Sequence, residues 1–203
     1  MATQYQLNIT NNSSQNKTFV LFQKNPKLNP WENFSLVWLS KTLPANSKDL
    51  LEWNNNYSFV AGEPGPLQPG VRFRTSDSKN CDPNSQNKVE ASFIGGRCRL
   101  SSAQPGRQPG QLTLVTGSFN PYETEYSAGI GMSDAAVIVT HVQPNISYVY
   151  SPNMEYWIAY GNYENGQVLS QDVPNAARIE FPNGKNAMNV VLNANGQFTI
   201  TPA

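Results

Sequence analysis

Apolar residues recur with a period of two from one end of this 203-residue chain to the other, and no sustained helical stripe interrupts them. That alternation commits the chain to β-structure. In Tyr5 to Ile9, residues Tyr5, Leu7 and Ile9 share one face while Gln6 and Asn8 take the other, as in a strand with one wet side. Phe34 to Leu39 differs, because Phe34, Leu36 and Trp38 line one face and Val37 and Leu39 the other. Both faces are expected to be buried there.

The same reading places strands at Thr18 to Phe22, Leu50 to Trp53, Tyr57 to Ala61, Val71 to Arg74, Val89 to Ile94, Leu112 to Thr116 and Ala136 to Val142. Glu155 to Tyr160, Ala177 to Phe181, Ala187 to Leu192 and Gln197 to Thr201 complete the set. Short strands at this spacing predict an all-β fold, an antiparallel β-sandwich or Greek-key barrel with long polar loops. The length suits one all-β domain over residues 1–203.

Turn chemistry supports this reading. Asn165-Gly166, Asn183-Gly184 and Asn195-Gly196 are dipeptides of two-residue hairpin turns, and the last is expected to join two paired antiparallel strands. Glu63-Pro64-Gly65-Pro66 followed by Gln68-Pro69-Gly70 can continue neither a helix nor a central strand. Ser76 to Asn87 and Ser101 to Gly110 read as polar loops, the first an Asx-turn run and the second carrying two Pro-Gly pairs.

Charge excludes some functions. Lys plus Arg equals Asp plus Glu at 14 each, so there is no cationic surplus to neutralise phosphates, and nucleic acid is not an expected partner. Charged residues make up 14% of the chain against about a quarter in an average domain. No segment reaches membrane-spanning length. Met1 to Gln6 has no basic run and no apolar core follows, so the expected location is the cytoplasm, or the outside by a non-classical route.

Catalytic candidates are few. His141 is the only histidine, and it shares a strand face with Val137 and Val139, a poor setting for a general base. One histidine and two cysteines cannot build a His-rich zinc site unless carboxylates complete it. Asp77 to Asp82 is oxygen-rich, but Lys79 in its middle and the missing downstream Glu depart from a calcium loop. Gly129-Ile130-Gly131 precedes a strand rather than a helix, so a bulge or close backbone approach is expected and not a phosphate loop. Glu123, Glu125 and Asp134 flank this Gly-rich segment as solvated acids or, in the weakest reading, as a carboxylate or metal-dependent centre. No catalytic residue, metal ligand or cofactor is assigned.

Cys81 and Cys98 are the only cysteines. In an oxidising compartment a disulfide between them would stabilise the fold by about 3 kcal/mol; in the cytosol both stay thiols, which the missing signal favours. Aromatic residues are the better functional candidates, because rings at a sheet edge stack on sugar faces or fill a partner's pocket. Trp31, Trp53, Trp157 and Tyr163 are the expected binding residues. Trp31, following Pro30 in a loop-like stretch, is the tryptophan expected to be most exposed.

Several elements together resemble the rhizosphere-induced protein RhiA family. They are Tyr5-Gln6-Leu7-Asn8-Ile9-Thr10-Asn11-Asn12-Ser13, Phe19-Val20-Leu21-Phe22-Gln23, Tyr57-Ser58-Phe59-Val60, Gly129-Ile130-Gly131-Met132-Ser133 and Gln143-Pro144-Asn145, then Tyr156-Trp157-Ile158-Ala159-Tyr160-Gly161, Phe181-Pro182 and Leu192-Asn193. The resemblance implies an accessory factor in bacterial interaction with a host or environment, with no established reaction. The expected function is therefore non-enzymatic binding of a glycan or protein partner. A structural protein that self-assembles through its edge strands, hence a homo-oligomer, is the alternative.

Overall fold

The structure, a computed structural model, describes residues 3–29, 32–152 and 154–203. Among them the chain forms seventeen strands in four sheets and no helix. No helix is therefore long and apolar enough to cross a membrane among the described residues.

One sheet has the order β17 (Phe198–Pro202), β16 (Ala187–Leu192), β1 (Gln4–Asn11), β5 (Ser47–Asn54). A second runs β15 (Ala177–Ile179), β14 (Glu155–Tyr160), β2 (Lys17–Lys24), β4 (Leu39–Leu43). The five-stranded sheet is β3 (Asn33–Ser35), β12 (Ala135–His141), β11 (Ser127–Met132), β6 (Tyr57–Gly62), β7 (Thr75–Cys81). The last is β13 (Ser147–Tyr150), β10 (Leu112–Thr116), β8 (Lys88–Ile94), β9 (Arg97–Leu100). Pairing is antiparallel throughout except for β1 with β16 and β8 with β10, which run parallel. The arrangement is an all-β sandwich, and none of these sheets closes into a barrel.

Alternation explains the packing. On β1, Leu7 and Ile9 are buried while Gln6, Asn8 and Thr10 are partly exposed. β2 and β14 are central strands with apolar residues on both faces, and Phe19, Leu21 and Ile158 enter the main core while Val20, Phe22 and Ala159 enter a smaller cluster. The main cluster takes residues from all four sheets. At its centre Trp38 and Trp53 meet edge to face at 5.5 Å, and Tyr5, Tyr156 and Phe181 surround them. Burying each such ring contributes about 2–3 kcal/mol.

The structure corrects several local expectations. Ser76 to Asn87 is not all loop, since Thr75–Cys81 is edge strand β7 paired with β6. Val71 to Arg74 is not a strand; it forms one isolated bridge, Arg72 to Gln167, inside a folded loop. Phe34 to Leu39 divides between β3 and β4, with Leu36, Val37 and Trp38 buried at the crossing between sheets. Asn195-Gly196 does join paired strands β16 and β17. Its turn has three residues, because Asn193 N donates to Gln197 O and only Gly196 of the dipeptide has positive φ. Asn183-Gly184 turns the chain between β15 and β16, which do not pair, and Asn165-Gly166 lies in the long connection between β14 and β15, which pair without a two-residue hairpin. Two-residue hairpins lie elsewhere among the described residues, at Gly95 and Gly96 between β8 and β9 and at Ser133 and Asp134 between β11 and β12, with positive φ at all four positions.

Candidate functional site

A cleft of about 690 Å³ opens where the end of β2, the following loop, β3 and the segment after residue 168 converge. Its apolar wall is Pro26, Leu28, Phe34, Pro69, Ile138 and Leu169. The volume suits a small ligand or a few side chains of a partner.

Most polar side chains in the wall are already used within the protein. Asn25 donates to Ser151 O at 2.9 Å, Ser35 to Gln23 O at 2.6 Å, and Ser170 to Asp172 O at 2.8 Å. Lys24 Nζ donates to Gln171 O at 3.1 Å and stands 4.8 Å from the centre of the Trp157 ring. Glu155 accepts from Trp157 Nε1 and pairs with Arg178, both at 3.3 Å. The side-chain amide of Gln171 and the carboxylate of Asp172 remain as polar groups without a partner among the described residues.

Strand phase puts Trp157 here. Tyr156, Ile158 and Tyr160 face the main core, so Trp157 and Ala159 turn to the opposite face of β14. There Trp157 stacks on Phe22 at 6.4 Å and packs with Tyr163 against Val20, Val37, Leu169 and Val173. Leu169 belongs both to this cluster and to the cleft wall. The structure thus brings Trp157 and Tyr163 together beside the cleft.

The other expected residues fall elsewhere. Trp53 is 3% exposed inside the main core; on β5, Leu51 and Trp53 point inward while Leu50 and Glu52 point out, so this ring is closed to a ligand. Trp31 lies outside the described residues. Cys81 and Cys98 stand as free thiols rather than a disulfide, and burial pushes each thiol up to about 12. His141 is half-buried, with Nε2 3.1 Å from Leu67 O.

The acidic group divides as well. Glu125 precedes β11 and Asp134 follows it, so a six-residue strand, about 20 Å of extended chain, separates them. Glu123, Glu125 and Asp134 are all exposed. Asp77 accepts from Leu100 N and pairs with Lys79, which uses both its oxygens. No cluster of three or more His, Cys, Asp or Glu side chains able to hold a metal occurs among the described residues.

Two buried hubs escaped the sequence reading. Asn11 donates to the carbonyls of Gln15, Leu43 and Pro44 and accepts from Ser13. Asn87 donates to Gln108 and Gln111 carbonyls and accepts from Gly106 N, which fixes the Ser101 to Gly110 loop. Only the burial of an asparagine marks such a hub, and burial is not visible in a chain so rich in this residue.

No solved structure matches this chain. The protein RhiA of Rhizobium leguminosarum bv. viciae is 32% identical over 206 residues, covering 99% of this chain and 87% of that protein. The RhiA family model matches residues 2–203. On the extent of both matches, the chain belongs to the RhiA family.

Proposed function

We propose that this protein acts by binding rather than by catalysis, as an accessory factor in interaction with a host or environment, and that its cleft receives a glycan or a protein partner. The observation that carries this reading is the chemistry of the cleft wall. It is largely apolar, its polar side chains are mostly paired within the protein, and of its two carboxylates Glu155 is already engaged by Trp157 and Arg178. Such a wall suits contact and exclusion of water better than proton transfer. A partner's side chains, or a sugar face beside Trp157, fit it.

The test is a glycan array and a peptide library screened against the full chain, followed by shift mapping at the Trp157 indole N–H. Hits that move this signal and are lost in Leu169→Arg support the reading. Hits that bind without touching it, or turnover of a bound compound, overturn it.

A second reading, self-assembly through strand edges, is favoured by β13. This edge strand bears no charge, and Val149 and neighbouring Ile146 are 45% and 43% exposed. Uncharged exposed edges invite pairing with another copy. Sedimentation velocity separates the readings: size that grows reversibly with concentration and stops growing in Val149→Lys supports assembly, and a constant monomer removes it.

A further inference from the structure

The loop from Glu63 to Arg74 closes on itself, its first amide donating to its last carbonyl at 2.8 Å. It is fastened at every side. Gly65 N donates to Glu125 O, Gly70 N to Val168 O, Phe73 N to Gly166 O, and Val168 N to Val71 O, all at 3.0 Å or less. His141 meets the Leu67 carbonyl, and Leu67 and Phe73 are buried beneath the loop. Pro64, Pro66 and Pro69 fix three of its φ angles. Compact loops with joined ends and their own buried side chains are frequently functional.

This loop walls a second cavity of about 320 Å³, distinct from the cleft, into which Arg72, Arg74, Glu63 and Ser127 are gathered. The charges in it are unspent. Among the described residues neither arginine makes an ion pair, whereas Arg178 pairs with two carboxylates. Ser127 is 3% exposed and its hydroxyl has no protein partner there. Ser127 lines the cavity, so its hydroxyl is free to donate to a group held there. Glu63 supplies one negative charge against two positive ones and pairs with neither.

We propose that this cavity is an oxyanion-binding site, in which Arg72 and Arg74 hold a carboxylate, sulfate or phosphate group and Ser127 donates its hydroxyl to the same ligand. Guanidinium groups match the planar, multidentate geometry of such anions and stay charged at any working pH. The remaining wall, Pro66, Val71 and Phe73, is apolar and takes the body of a small ligand. The cavity has the volume for a free anion or a single acidic sugar, near the lower bound of ligand sites. Because proline and hydrogen bonds hold the loop before binding, little ordering cost opposes capture.

The test uses the isotopically labelled full chain at low salt, titrated with sodium sulfate, sodium phosphate, sodium glucuronate and, as a neutral control, glucose. Expected are saturable shifts at the Arg72 and Arg74 Nε–H groups and the Ser127 amide with at least one anion, and none with glucose. Tighter binding of glucuronate identifies an acidic sugar; tighter binding of sulfate or phosphate identifies a free anion, and both outcomes support the site. Arg72→Gln and Arg74→Gln should each weaken binding about tenfold or more, Glu63→Gln should tighten it, and added sodium chloride should weaken it. Both arginines are exposed, so unchanged unfolding midpoints will show that the variants fold. Absence of saturable shifts with all three anions, or shifts that persist in the doubly substituted chain, would overturn the assignment.

Discussion

Asn11 donates its side-chain amide to the Leu43 carbonyl, 3.2 Å away, although β1 and β4 belong to different sheets. The same amide serves Gln15 and Pro44, and its oxygen takes the Ser13 hydroxyl at 2.7 Å. One fully buried side chain thereby joins the β1–β2 turn to the β4–β5 turn. Asn11→Ala strands the Leu43 carbonyl away from water at about 1–3 kcal/mol, while the exposed Gln15 and Pro44 can turn to solvent. A loss of about 1–3 kcal/mol in urea unfolding is expected, and a loss below about 0.5 kcal/mol would show that water replaces the side chain.

Gly129 runs so close to β12 that a Cβ would collide with the Ile138 carbonyl and stand 2.7 Å from Val139 Cα. The obstacles are backbone, which cannot rotate aside. Gly129→Ala must separate two central strands of the five-stranded sheet, and overpacking of this kind costs about 1–3 kcal/mol or more. Gly184→Ala serves as a control, since open space surrounds Gly184 and only its positive φ is affected. The control should lose less than Gly129→Ala when both are unfolded in urea; equal losses would remove close approach as the reason for glycine at 129.

How much of this was legible in the sequence follows from what each strand packs against. β2 and β14 were visible because β-branched and aromatic residues fill both faces. β11 is absent from the strands expected from sequence, yet its six residues are all buried; small side chains there leave no apolar signature, although the expected close approach and a bulge between Ile130 and Gly131 are both present. β7 was unreadable for the opposite reason, being an edge strand with polar residues on both sides. Val71 to Arg74 misled because an extended loop with Phe73 turned in and Arg72 and Arg74 turned out alternates as a strand does. Trp157 and Tyr163 could be named from sequence, whereas the cleft beside them joins residues from Lys24 to Asp172 that no local pattern connects.

Trp157→Ala separates packing from recognition. The ring stacks on Phe22 and carries Lys24 above it, so its removal should cost about 2–4 kcal/mol in urea unfolding and abolish ligand shifts at the cleft. Lys24→Met keeps the ring and removes the cation, a contact worth about 0.5–1 kcal/mol at an exposed site, together with its bond to the Gln171 carbonyl. A small stability change with altered ligand affinity is expected for Lys24→Met. If it unfolds the protein as readily as Trp157→Ala does, the lysine is structural and the cleft reading loses its charged lip.

Burial pushes the thiols of Cys81 and Cys98 from 9.0 up to about 12, and the Tyr57 hydroxyl from 10.0 to about 12. In the unfolded chain these groups release their protons near their ordinary values, so between pH 9 and 12 the unfolded state holds fewer protons than the folded one. Stability is therefore unaffected below about pH 9 and falls as pH rises from there through about 12. Urea midpoints measured from pH 7 to 11 should be flat and then decline, and a flat profile to pH 11 would mean that these groups ionise freely when folded. The same burial leaves about one thiol in ten thousand ionised at pH 8, so a disulfide reagent should label the native protein far more slowly than model thiols and the unfolded protein promptly. Two thiols appearing on unfolding confirm the reduced pair; none would show a Cys81–Cys98 disulfide, and rapid native labelling would show that the strands around them open.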